Sequence, residues 1–168
     1  HSKRGVIAAE LFDEAEMDDE LRRVTWMRAL ARTERARWRR AALESYAAVQ
    51  GSPNSTPSQV RHTAFEVALF EDVDRALVAE ARKKLGDDPY TQLHDIRLGV
   101  IDFDAPRADH AFYEALDALR YRARDDRENA SSCCAKARAR ESKPGAGSPM
   151  SPAIALLLDE VEAWIAGN

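Results

Sequence analysis

Apolar residues recur every four positions through Phe65, Leu69, Val73, Leu77, Ala81 and Leu85, which lays one hydrophobic stripe along a helix. Its start is marked by Thr56 and Pro57, with Gln59 three residues after the threonine. That is capping-box spacing, with proline at the first helical position, where a backbone N–H is not needed. Gly86 can take a positive φ and stop the helix, and Lys83 and Lys84 in its last turn suit the negative end of the helix dipole. Asp88-Pro89 restarts the chain, and Leu93, Ile96, Val100 and Ile101 keep helical spacing until Asp102 to Pro106 breaks it. The segment from Thr56 to Phe103 therefore predicts a helical hairpin.

The same pattern places further helices on either side. Val6, Ile7, Leu11, Phe12 and Ala15 suit a short first helix, and Asp18 or Asp19 can cap a longer one reaching about Gln50. The inner side of that second helix would carry Leu21, Val24, Trp38, Ala42, Tyr46 and Val49. Gly51 to Ser55 collects the turn formers Gly, Pro, Asn and Ser and predicts a loop. Residues 108–129 predict another helix, with Phe112, Ala115, Leu116 and Leu119 inward and Tyr113 and Tyr121 at its margins. From Asn129 to Pro149 no large apolar residue occurs, so residues 129–150 are expected to be a flexible basic Ser/Pro/Gly linker. Ser151 and Pro152 then open a C-terminal helix whose stripe is Ile154, Leu157, Leu158, Val161, Trp164 and Ile165. Strand signals are weak throughout. The expected fold is all-α: a single-domain bundle of about five or six helices. Residues 1–128 would form the core, 129–150 the linker, and 151–168 an amphipathic helix docking on the bundle.

Length and composition narrow this picture a little. The chain has 168 residues, 32% charged and 45% hydrophobic, an ordinary globular mixture with room for a core. A net charge of −4 names no partner. No apolar run approaches the length of a membrane span, so no membrane role is expected. The two cysteines, Cys133 and Cys134, are adjacent and cannot build a disulfide framework. Free thiols in a reducing, intracellular compartment, cytoplasmic or nuclear, are the expectation. They lie near Lys136 and Arg138, cations that can lower a thiol pKa. The opening residues His1-Ser2 suggest an excised domain or a tag remnant, with part of the function outside these residues.

The charges are segregated. Glu10, Asp13, Glu14, Glu16, Asp18, Asp19 and Glu20 form an acidic block. Arg22, Arg23, Arg28, Arg32, Arg35, Arg37, Arg39 and Arg40 follow, with Glu34 the one acid among them. Such a run is either a solvated helix face or a basic surface for an acidic partner or nucleic acid, with Trp38 able to stack. The candidate partner-binding residues are Arg28, Arg32, Arg35, Arg39 and Trp38.

One constellation suggests catalysis. His62 is followed at a distance by the adjacent pair His94-Asp95, and Asp102, Asp104 or Asp109 could supply a last carboxylate. Imidazoles and carboxylates suit a divalent transition metal that activates water. The fragments VRHTAFEVA and QLHDIRLG resemble the two segments of HD-type phosphohydrolases. That resemblance implies a metal-dependent phosphohydrolase using His62, His94 and Asp95. No P-loop, dinucleotide-binding glycine turn, paired-cysteine zinc spacing or nucleophile elbow occurs. The leading expectation is a non-catalytic, cofactor-free interaction module that docks a protein through apolar and Arg-rich helix surface, with nucleic-acid contact as an additional role. The alternative is the metal-dependent hydrolase. Ser52, Thr56, Ser148 and Ser151, each followed by proline, are phosphoacceptor candidates as well as caps and turns.

Overall fold

The computed structural model of the chain describes residues 35–86, 90–142 and 152–167. Among them the fold is all-helical, with seven helices and no strand. The helices are α1 (Arg35–Gly51), α2 (Pro57–Val67), α3 (Arg75–Leu85), α4 (Thr91–Arg97), α5 (Ala111–Ala123), α6 (Arg127–Ser142) and α7 (Pro152–Ile165). The expected helix over Val6 to Ala15, the acidic block, the beginning of the Arg-rich helix and the Ser151 cap lie outside the described residues. No helix among the described residues is long and apolar enough to cross a membrane. The chain divides into two compact units, one ending at Val100 and the other taking up at Ile101.

In the first unit, α2 packs on α1, α3 and α4, and α3 packs on α4. Trp38, Ala42 and Tyr46 face inward from α1, four residues apart, as the period requires. The predicted start of α2 is present in full. Thr56 Oγ1 accepts from the Gln59 N–H at 3.2 Å, and the Gln59 side chain accepts from the Thr56 N–H at 3.0 Å. The predicted single helix from Pro57 to Leu85, however, is two helices. Ala68 ends α2 by turning its N–H to the Phe65 carbonyl at 3.1 Å, and Asp74 caps α3 by accepting from the Ala76 N–H at 2.8 Å. Leu69 and Val73 of the four-residue stripe belong to the intervening bend, where they are as buried as helical positions. The stripe reports burial correctly and the path of the backbone incorrectly.

Arginines close this bend from outside. Arg97 donates from Nε to the Ala68 carbonyl at 2.8 Å and from Nη2 to the Leu69 carbonyl at 3.3 Å, filling acceptors that the end of α2 leaves open. Gly86 ends α3 at φ 62°, as expected. Helix α4 also stops earlier than its apolar spacing suggests. Gly99 adopts φ 89° and the Val100 N–H returns to the Asp95 carbonyl at 2.8 Å, a left-handed termination that a β-branched residue would resist. Val100 is consequently exposed rather than inward.

In the second unit, α5 packs on both α6 and α7, which also pack on each other. Phe112, Ala115, Leu116 and Leu119 are buried and Tyr113 and Tyr121 half-buried, as the pattern of residues 108–129 predicts. Residues 127–142 correct the expectation of a flexible linker over 129–150 for the part that is described: they are the helix α6. Its inward positions are Ala130, Cys133, Cys134 and Ala137, a helical stripe written entirely in small residues. Small side chains let this backbone approach α5 closely, so a helix forms without a large apolar residue. Asp126 starts it, accepting from the Asn129 N–H at 3.1 Å. The C-terminal stripe packs within its own chain, with Ile154, Leu157, Leu158 and Val161 buried and Trp164 and Ile165 half-buried. Arg127 closes the far end of α7, donating to the Trp164 and Ile165 carbonyls at 2.9 and 2.8 Å with its guanidinium 4.7 Å from the Trp164 ring.

Candidate functional site

Of the basic residues singled out by sequence, Arg28 and Arg32 lie outside the described residues. Arg35 and Arg39, one turn apart on α1, converge on Asp72 in the bend between α2 and α3. Arg39 Nε is 3.1 Å from one Asp72 carboxylate oxygen and Arg35 Nη2 is 3.5 Å from the other. Arg39 also donates from Nη2 to the Asp72 carbonyl at 3.0 Å, and the Arg35 guanidinium lies 5.4 Å from the Phe70 ring centre. These two arginines clasp α1 to the bend. Trp38, placed between them in sequence, is 6% exposed and belongs to the core rather than to a stacking surface.

Among the described residues of the run, Arg37 and Arg40 are exposed. They are three positions apart and therefore share a helix face, which also includes Ala36. Neither is among the candidates that the sequence singles out, because the position of Asp72 decides which arginines it pairs with. Away from this face, Tyr90 and Val100 flank α4 and are 44% and 56% exposed, with Tyr90 also resting on Phe65 at a ring separation of 4.4 Å. In the second unit Phe103 is the exposed aromatic, packed against Tyr121 at 4.8 Å beneath Arg124.

The residues expected to hold a metal have other partners. His94 is fully buried, its Nε2 lying 2.7 Å from the Ala64 carbonyl and its Nδ1 3.4 Å from the Tyr90 carbonyl. A carbonyl only accepts, so the short contact requires the proton on Nε2. Burial lowers the His94 pKa below its ordinary value, against the two carbonyls that favour the charged ring. Asp95 accepts from Arg82 Nε at 2.8 Å, a bridge between α4 and α3. His62 Nε2 is 3.2 Å from Glu66 Oε1 one turn further along α2. His62, His94 and Asp95 are thus each drawn into a different contact. Among the described residues no group of three or more His, Cys, Asp and Glu side chains is placed to hold a metal ion.

The remaining candidates serve the fold too. His110 caps α5, its Nδ1 accepting from the Phe112 N–H at 3.0 Å, and Asp109 pairs with Arg140 of α6. Cys133 and Cys134 are buried rather than exposed, and the neighbouring Lys136 and Arg138 do not bring either thiol below its ordinary pKa. Burial pushes Cys133 up to about 11, with the Asp117 and Glu114 carboxylates adding to the shift, and Cys134 up to about 12. Neither is a thiolate near neutral pH. The Asp117 carboxylate that faces this region is itself held by Arg107 at 2.7 Å and Arg120 at 2.8 Å.

Comparison of the chain with protein-family models, curated proteins and solved structures finds no match.

Proposed function

We propose that the protein is a non-catalytic helical interaction module that docks a protein partner through the outer face of α1. The observation that carries this reading is the arginine run of α1: Arg35 and Arg39 pair with the exposed Asp72, and Arg37 and Arg40 are exposed on the same helix. A helix held to its neighbour at two points carries its exposed side chains at fixed spacing, which lowers the ordering cost of binding. Guanidinium groups pair with carboxylates through two parallel hydrogen bonds, so an acidic partner surface is the complement.

The chemistry of the tempting alternatives favours the same reading. A metal-dependent hydrolase built on His62, His94 and Asp95 would need His94 to release the Ala64 carbonyl and Asp95 to release Arg82. Comparative partner capture tests the proposal, with the wild-type chain and an R37E/R40E variant as baits. Proteins captured by the first and lost with the second, at unchanged helix content, support it, and identical capture by both contradicts it. Binding of duplex DNA or RNA that weakens steeply with salt and disappears in the same variant would assign the face to nucleic acid instead. An intracellular location accords with two cysteines kept as thiols.

A further inference from the structure

Arg124 is exposed at the end of α5, and among the described residues no carboxylate pairs with it. Its guanidinium lies instead over the ring of Phe103, 5.5 Å from the centroid. Phe103 is 36% exposed and rests on Tyr121 of α5, with ring centres 4.8 Å apart. Its two neighbours in sequence are Asp102 and Asp104, both exposed. The Asp102 carboxylate accepts the Asp104 N–H at 2.9 Å, which ties the turn together. Among the described residues neither aspartate is paired with a cation. An aromatic ring that already carries a guanidinium is thus flanked by two carboxylates with acceptor capacity to spare.

We propose that Asp102, Phe103 and Asp104 form a docking point for an arginine side chain of a basic partner peptide, with Arg124 covering the ring in its absence. All four residues belong to the second unit, so the proposal stands apart from the outer face of α1.

The chemistry selects arginine. A guanidinium is planar and weakly hydrated, so it stacks on an aromatic face while its N–H donors reach carboxylates. Arg124 makes the first of these contacts and not the second. An incoming arginine that stacks on Phe103 and donates to Asp102 or Asp104 makes both. Two carboxylates against one guanidinium also favour a cationic ligand over an anionic one. Tyr121 backs the ring, so Phe103 is presented with little left to order on binding. Arg124 is readily displaced, because an exposed cation–π contact is weak and its long stem can move aside.

Fluorescence anisotropy of a labelled glycine–arginine peptide with the full chain tests this, beside the same peptide with lysine for arginine. Wild type should bind the arginine peptide more tightly than the lysine peptide, with affinity falling as salt rises. F103L keeps an apolar contact for Tyr121 but has no π face, and should erase the preference for arginine. D102N/D104N should weaken binding of both peptides. R124A frees the ring and removes a like charge, so it should tighten arginine-peptide binding by roughly two- to fivefold. The same arginine preference in wild type and F103L, weaker binding by R124A, or no binding by either wild type or R124A overturns the proposal. A peptide held by the acidic block Glu10 to Glu20 would bind every variant alike, which overturns it too.

Discussion

His94 donates its Nε2 proton to the carbonyl oxygen of Ala64, 30 residues earlier in the chain, at 2.7 Å. The Ala68 N–H, which would reach Ala64 in a continuing helix, bonds Phe65 instead, so the imidazole takes over an acceptor at the end of α2. Together with Arg97 on the Ala68 and Leu69 carbonyls, it fixes α4 across the bend that separates α2 from α3.

His94→Leu should destabilise the first unit by about 1–3 kcal/mol, the range for stranding a buried partner. His94→Gln should cost less, since an amide can still donate. The native pKa of His94 is lowered, so its contribution is present above the ordinary histidine pKa and lost as pH falls through the native value. Urea unfolding at pH 7 and pH 5 should show wild-type stability dropping on the acid side and a flatter profile in both variants. An unchanged acid drop would assign it to other groups.

Trp38 is expected to act as core, not as a ligand-stacking residue. Trp38→Ala should cost about 3–5 kcal/mol and lower the melting temperature markedly. A variant that melts like the wild type but loses partner binding would return Trp38 to the surface role that its place among arginines suggested.

Much of the fold is legible in the sequence, and the failures have definite causes. The capping box at Thr56, the stop at Gly86 and the inner faces of α1, α5 and α7 follow from local chemistry and period. The break at Ala68 does not, because Leu69 and Val73 keep the four-residue rhythm while a bend buries them. Helix α6 is not legible from large apolar residues, because Ala130, Cys133, Cys134 and Ala137 bury by close approach. That stripe has helical spacing and could have been found by counting small residues as apolar. In the candidate site, the type of residue was legible and its partner was not. Nothing in the arginine run itself says that Asp72, more than thirty positions away, selects Arg35 and Arg39.

The cysteines follow from the same packing. Both thiols are buried with pKa values pushed up to about 11 and about 12, so a chromogenic aromatic disulfide at pH 7.5 should label neither in the native chain. Denaturant should release both within the mixing time. Fast labelling of two thiols in native buffer would mean that α6 is not docked in solution.

The central claim, that the exposed face of α1 receives a protein partner, is tested most directly by site-specific photo-crosslinking. A benzoylphenylalanine placed at Ala36 lies beside Arg37 and Arg40, and one at the exposed residue Glu128 provides the comparison in the second unit. The expected result is a discrete crosslinked protein from position 36 that disappears with R37E/R40E, and none from position 128. Crosslinking from position 128 alone, or a product at position 36 that survives the double substitution, would contradict the assignment of this face.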